Sequence, residues 1–427
     1  MKFLGLRRTM DYTKDKFINN RKPKRPLKLL VPIKLLLCKI FLGGNKYKVN
    51  KINCDGLKPP FILVCNHASQ LDFPIAYKCL YPHPTNWIVS IEEFVGRDWL
   101  MRSAGCFYKR KFTKDVMVVK NILHCVKRYN NNFVIYPEAR YSLAGINERI
   151  DGALGKLAKM ANVPVVFLKL KGNFLASPQW NKKPIRKLTL EADFEQIVTK
   201  EEIQTLSPEE VQARIEKQFE YDDYKWQFDN KIKITSKYRA HNLHKILYQC
   251  PICKQEFEMN SKETKLWCEH CGAEWEMDEY GRLNGTKNET VFPHVPDWYK
   301  WERQNVIEEV NSGNYKFSDQ ARLELLHSPK GYKVASNSIT YTHDYNGFTV
   351  SGKLVNGEDF TLNRPVLTMP SCHIEYNFKK RGDAAELCLP NVTYFVFPLN
   401  KKNQLTKLHF ATEALYDLAL KNQDKPE

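Results

Sequence analysis

The chain has 427 residues, too many for one ordinary hydrophobic core, so two or three domains are expected. Hydrophobic residues make up 43% and aromatic residues 12%, which excludes a mainly disordered chain. The formal charge of +18 calls for a polyanionic partner, and residues 1–60, with 16 Lys/Arg against 3 Asp/Glu, carry most of it.

Residues 1–45 read as a basic, amphipathic membrane-binding segment. Its apolar run is LKLLVPIKLLLCKIFL (27–42), broken by Lys28, Pro32, Lys34 and Lys39. A spanning helix wants about 20 mostly uncharged residues, so this run is too short and too charged. It also starts too far from Met1, and has no small-residue cleavage site, to read as a signal peptide. A helix lying in the interface, its lysines reaching anionic headgroups, is the expectation; a buried core helix with solvated lysines is the alternative.

Residues 46–220 alternate short apolar runs with amphipathic stretches. FILVC (61–65), NWIVS (86–90), FVIYP (133–137) and VPVVFLKL (163–170) read as buried strands, and 113–130 and 150–161 show helical spacing. That alternation predicts an α/β domain, a mixed sheet flanked by helices. In VCNHASQLDFP the strand at 61–65 runs out into His67 and Asp72 at the end where α/β sheets gather ligands. Asp72 precedes Phe73-Pro74, which suits a helix start, so its carboxylate can hold one ring nitrogen of His67 protonated and leave the other free as a base. Cys65, a lone thiol in an apolar strand, reads as core rather than nucleophile.

A second strand empties into polar residues at FVIYPEARYS, where Glu138, Arg140 and Ser142 are available to grip a phosphate and a glycerol hydroxyl. Between the two clusters GCFYKRK (105–111) adds Lys109, Arg110 and Lys111.

Residues 221–247 read as a polar connector. Cys250, Cys253, Cys268 and Cys271 follow, in the spacing C-x2-C-x14-C-x2-C. Two such knuckles supply four thiolates for a tetrahedral, structural zinc, and 248–283 reads as a zinc ribbon. The other eight cysteines are scattered singly and fit the reduced, buried thiols of a cytosolic protein. A short helix is expected at 296–311. From about 331 to 427 the pattern turns to period-two runs, SITYTHDY, FTVSGKL, HIEYNF and TYFVFPL, with Asn-Gly turns at 346–347 and 356–357, closed by a helix at about 403–421: a small β-rich domain.

These residues resemble the glycerolipid acyltransferase family, typified by 1-acylglycerol-3-phosphate acyltransferase, over about residues 25–220. NHASQLD is similar to its catalytic block, GCFYKR to its second, YPEARYS to its third and VPVV (163–166) to its fourth. The resemblance implies an acyl-CoA or acyl-carrier protein donor and a lysophosphatidate-like acceptor, giving phosphatidate. It implies peripheral or monotopic attachment to the cytoplasmic face of the cell membrane, His67 and Asp72 as catalytic residues, and Arg110, Glu138, Arg140 and Ser142 toward the acceptor. Two departures stand out. The third block usually puts its Arg three residues after Glu, where Tyr141 stands here, and the second separates its Gly and Arg by one residue fewer than usual.

Two other functions compete with this one. A nucleic-acid-binding protein would use the ribbon and the basic N-terminus, but residues 248–283 hold 4 basic against 8 acidic side chains, a poor phosphate binder. A catalytically inactive zinc-ribbon adaptor would use its C-terminal region to recruit an unidentified protein partner.

Overall fold

Short apolar runs bounded by polar residues are strands buried on both faces, and three of them form the centre of a seven-stranded sheet. The computed structural model describes residues 21–150 and 152–423. The sheet comprises β1 (Lys46–Ile52), β2 (Ile62–Cys65), β3 (Thr85–Ser90), β4 (Cys106–Lys109), β5 (Asn132–Ile135), β6 (Val165–Lys171) and β7 (Thr189–Val198). Their order is β1-β7-β6-β2-β5-β3-β4, with β6 and β7 antiparallel and every other pair parallel. Alternation along β2 divides the packing. Ile62 and Val64 face a core closed by the helices Val116–Leu123, Leu154–Ala161 and Pro208–Gln218. Leu63 and Cys65 face the helix Asp72–Leu80 and everything that follows the sheet.

That second face carries the rest of the chain. The ribbon is an antiparallel meander of β8 (Met259–Lys262), β9 (Lys265–Cys268), β10 (Glu274–Met277) and β11 (Leu283–Gly285). The helix Val295–Asn311 leads from it to a second seven-stranded sheet, antiparallel throughout. Its strands are β12 (Phe317–Ser328), β13 (Gly331–Asp344), β14 (Gly347–Lys353), β15 (Asp359–Arg364), β16 (His373–Glu375), β17 (Ala384–Cys388) and β18 (Thr393–Pro398), in the order β15-β14-β13-β12-β18-β17-β16. The helix Leu405–Gln423 closes the chain. One apolar cluster runs from Leu63 through Trp275 and Trp298 to Phe395 and Leu408, so sheet, ribbon and C-terminal module share a core.

Several expectations change. Residues 221–247 are no solvated connector: they hold the helix Asp223–Asp229 and bury Ile234, Ala240, Leu243, Ile246 and Leu247. The C-terminal sheet starts with β12 at Phe317, ahead of the expected 331, and β1, β7, β15 and β17 also escape the sequence reading. At the Asn346-Gly347 turn φ is +98° at Gly347, and a Cβ there would lie 2.1 Å from the Arg364 carbonyl oxygen, so glycine is required.

Residues 1–20 of the expected membrane-binding segment lie outside the described residues. The remainder forms the helix Val31–Leu42, which turns Lys34 inward, contrary to the expected reach toward headgroups. Its Nζ donates to the Ala104 carbonyl at 2.8 Å and sits over the Tyr77 ring. Ile33, Leu36, Leu37, Ile40 and Phe41 are left exposed, with Lys28 and Lys39 beside them. Among the described residues no helix is long and apolar enough to cross a membrane.

Candidate active site and cysteine cluster

At the C-terminal end of β2, Asn66 ties the strand to its neighbour: its Nδ2 donates to the Leu170 carbonyl at 2.9 Å and its Oδ1 accepts the Leu170 amide at 2.7 Å. His67, the next residue, is thereby fixed just beyond the sheet. The Asp72 side chain is buried, and its Oδ2 lies 2.9 Å from Nδ1 of His67. The same oxygen accepts the amides of Ala68 and Ser69 at 2.7 and 3.0 Å, while Oδ1 accepts Nδ2 of Asn173 at 2.8 Å. A carboxylate oxygen that accepts two backbone amides is fixed in place as an acceptor, so Nδ1 of His67 donates to it. Nε2 has no protein partner among the described residues, and the side chain is 22% exposed: its lone pair is open to a substrate.

The second cluster braces the first. Glu138, beyond the end of β5, accepts the His67 amide on Oε1 and the Glu148 amide on Oε2, both at 3.0 Å. Burial pushes its carboxyl up to about 8, against these two backbone bonds. Ser142 donates its amide to the His67 carbonyl at 2.8 Å and its hydroxyl to the Ile146 carbonyl at 2.6 Å. Between them Ala139 has φ +55°, a strained conformation for a residue with a Cβ. Tyr141 then leaves toward the imidazole, its ring centroid 4.3 Å from that of His67, and Tyr136 stacks on the imidazole at 4.2 Å.

Arg140 leaves in another direction. Its Nη2 lies 2.7 Å from Oε1 of Glu413 and its Nη1 2.9 Å from Nδ1 of His409, with a longer bond to the Cys372 carbonyl at 3.4 Å. Glu148 stands 3.9 Å away. Arg110 donates to the carbonyls of Pro390 and Asn391 at 3.1 and 3.0 Å. Lys111 lies 3.2 Å from both carboxylate oxygens of Glu386, 3.6 Å from Glu92 and 3.9 Å from Glu375. Arg110, Glu138, Arg140 and Ser142, expected toward the acceptor, are each buried and bonded within the protein, and the C-terminal module supplies the partners of both arginines. Asn173, Tyr136, Tyr141 and Glu148 had been given no role. No local signal points to Asn173, which stands 101 residues from the carboxylate it holds.

The ribbon cysteines converge. One Sγ each from Cys250, Cys253, Cys268 and Cys271 fall within 4.8 Å of one another, with Cys250–Cys271 at 3.7 Å and Cys253–Cys268 at 3.8 Å. Zn–S bonds of about 2.3 Å in a tetrahedron put sulfurs roughly 3.8 Å apart, so the cluster fits zinc. Both knuckles turn alike: Lys254 and Gly272 have φ of +64° and +74°, and their amides donate to the carbonyls of Cys250 and Cys268.

Residues 45–169 match the model of the family described as Acyltransferase. That stretch holds β1 to β5, the His67–Asp72 pair and Glu138. A similar solved structure is the crystal structure of PlsC, the 1-acyl-sn-glycerophosphate (LPA) acyltransferase from Thermotoga maritima. It is 17% identical, the match covers 47% of this chain and 81% of that one, and the TM-score is 0.37. No curated protein matches the chain.

Proposed function

We propose that the chain is an O-acyltransferase of the membrane surface, moving a fatty acyl group from an acyl-CoA or acyl-carrier protein thioester to a glycerolipid hydroxyl. The observation that carries this reading is the 2.9 Å His67–Asp72 pair, with Nε2 open, inside the stretch that matches the Acyltransferase family. His67 Nε2 removes the proton as the acceptor oxygen attacks the thioester carbonyl, and Asp72 stabilises the imidazolium that forms. The tetrahedral intermediate then expels the thiolate, which takes the proton back from His67, giving an ester and a free thiol. No acyl-enzyme is needed. Cys65, two residues away, lies in the sheet core, and burial raises its thiol well above the ordinary range, so it is no nucleophile.

Lysophosphatidate, the acceptor implied by the family resemblance, is one member of the acceptor class. The exposed apolar face of the helix Val31–Leu42 and its flanking lysines suit a peripheral or monotopic seat on the cytoplasmic leaflet. A zinc held by Cys250, Cys253, Cys268 and Cys271 would have a closed shell, fixing the ribbon and taking no part in acyl transfer. The test is incubation of the pure protein and of His67→Ala with acyl thioesters and hydroxyl lipids, products being read by mass spectrometry. A new ester formed by the parent alone supports the function; equal turnover in His67→Ala rejects it.

A further inference from the structure

The headgroup-facing side of the site is set by which side chains stand beside His67 and which have been drawn away. Arg110 and Lys111 follow β4 and Arg140 follows β5, and each of the three is bonded inside the protein. Arg140 is 1% exposed and spends its two amino groups on Glu413, His409 and the Cys372 carbonyl. Arg110 spends its pair on the Pro390 and Asn391 carbonyls. Lys111 is enclosed by Glu386, Glu92 and Glu375. In each case the C-terminal module, from Cys372 to Glu413, supplies a partner, and the last strand and helix would have to leave before a ligand could take its place. Breaking such buried pairs costs several kcal/mol per charge left behind, more than one surface phosphate contact returns.

Two phenol rings stand where the cations do not. Tyr136 and Tyr141 bracket the imidazole at 4.2 and 4.3 Å. The charges nearest Tyr141 are mostly acidic: Asp72, Glu93 and Glu375 raise its hydroxyl beyond what burial does, against Lys111. A phosphate monoester carries about −1.5 to −2 charges at neutral pH. Brought beside Tyr141, it would meet these carboxylates with no uncommitted guanidinium among the described residues of the loops after β4 and β5. A neutral polyol meets the apolar faces of the two rings and, at Tyr141, a hydroxyl, the Tyr136 hydroxyl being buried within the protein.

We infer that the acceptor presented to His67 is an uncharged, hydroxyl-bearing glycerolipid headgroup, and not a phosphate monoester such as lysophosphatidate. The inference rests on the acyltransferase reading above and narrows its acceptor. The arrangement is a specificity filter: the phenol of Tyr141 lines the headgroup, and Arg110, Lys111 and Arg140 bind the C-terminal module.

The full chain, zinc-loaded and in neutral detergent, is assayed with palmitoyl-CoA and palmitoyl-acyl-carrier protein against 1-monoacylglycerol and lysophosphatidate of the same chain length, with His67→Ala alongside. The expected result is His67-dependent acylation of monoacylglycerol with kcat/KM at least about tenfold above lysophosphatidate. Tyr141→Lys, which puts an uncommitted cation beside the imidazole, should narrow that ratio about tenfold. His67-dependent turnover that favours lysophosphatidate, or treats the two alike, overturns the inference and leaves the acyltransferase function standing. A parent preference unmoved in a folded Tyr141→Lys removes Tyr141 as the filter and overturns the assignment. Absence of His67-dependent transfer from either donor to either acceptor overturns the function and the inference with it.

Discussion

Nη2 of Arg140 and Oε1 of Glu413 lie 2.7 Å apart across a separation of 273 residues, joining the loop after β5 to the last helix of the chain. Glu413 is shared: its other oxygen lies 2.6 Å from Arg303, and Ser371 donates to Oε1 at 2.7 Å. An ion pair so enclosed holds the domains in register, and removing one member leaves the others charged and unanswered.

Arg140→Met is accordingly expected to lower unfolding free energy by about 3–5 kcal/mol, read from urea titration, with Arg140→Lys between it and the parent. kcat/KM per folded molecule should stay within about threefold, because the guanidinium supports the structure rather than the substrate. A stable Arg140→Met with a large, selective rise in acceptor KM would return Arg140 to the substrate.

Acid should act at the same place. Burial alone would raise the Glu148 carboxyl, yet Arg140, His409 and Arg303 hold it down at about 2, from an ordinary 4.5. A depressed carboxyl contributes stability that is complete above the unfolded value and is lost as pH falls through the folded one. The urea midpoint should therefore drop between pH 4.5 and 2, and the gap between parent and Glu148→Gln should shrink over that window. A gap independent of pH would show that Glu148 contributes no ionic stabilisation.

Asp72→Asn preserves shape but no longer fixes the imidazole tautomer or stabilises its charged form. Turnover should fall by about 10²–10⁴-fold with circular dichroism and zinc content unchanged. Parent-like rates would remove Asp72 from the mechanism.

Reduced protein prepared without chelators is expected to hold one zinc per chain, bound by the four thiolates of Cys250, Cys253, Cys268 and Cys271. Stripping the metal, or Cys253→Ser, should loosen the ribbon and lower the melting temperature, since structural zinc contributes folding energy. Metal analysis showing no zinc would refute this.

On anionic vesicles, Leu36→Glu with Ile40→Glu should weaken binding strongly by placing charge on the exposed face of the helix Val31–Leu42. Sedimentation unchanged by the pair would move the membrane contact to another surface.

The His67–Asp72 pair was legible in the sequence because everything that makes it is local: a buried strand, a histidine at its end and an aspartate five residues on that starts a helix. The four cysteines were legible because metal geometry imposes its own spacing. The partners of Arg110 and Arg140 were not legible, because a polar side chain at a strand end has no local mark saying whether it meets a ligand or a residue 273 to 280 positions away. The strands β1, β4, β7, β12, β15 and β17 were missed because their short or polar-interrupted runs acquire meaning only beside the strands that pair with them.

The linkage of early cations to late partners also fixes an order of events during synthesis. Arg110, Lys111 and Arg140 emerge from the ribosome some 273–280 residues before Glu413, Pro390 and Glu386. At 5–20 residues per second that interval is roughly 15–60 s. Throughout it, the nascent first sheet exposes the apolar face meant for ribbon and C-terminal module, along with three cations whose late partners are still unmade. The shared core therefore closes only after the helix Leu405–Gln423 has been made. A ribosome that stops short yields an aggregation-prone fragment with its His67–Asp72 pair already made, which gives the cell a physical handle by which chaperones and proteases can tell unfinished copies from finished ones.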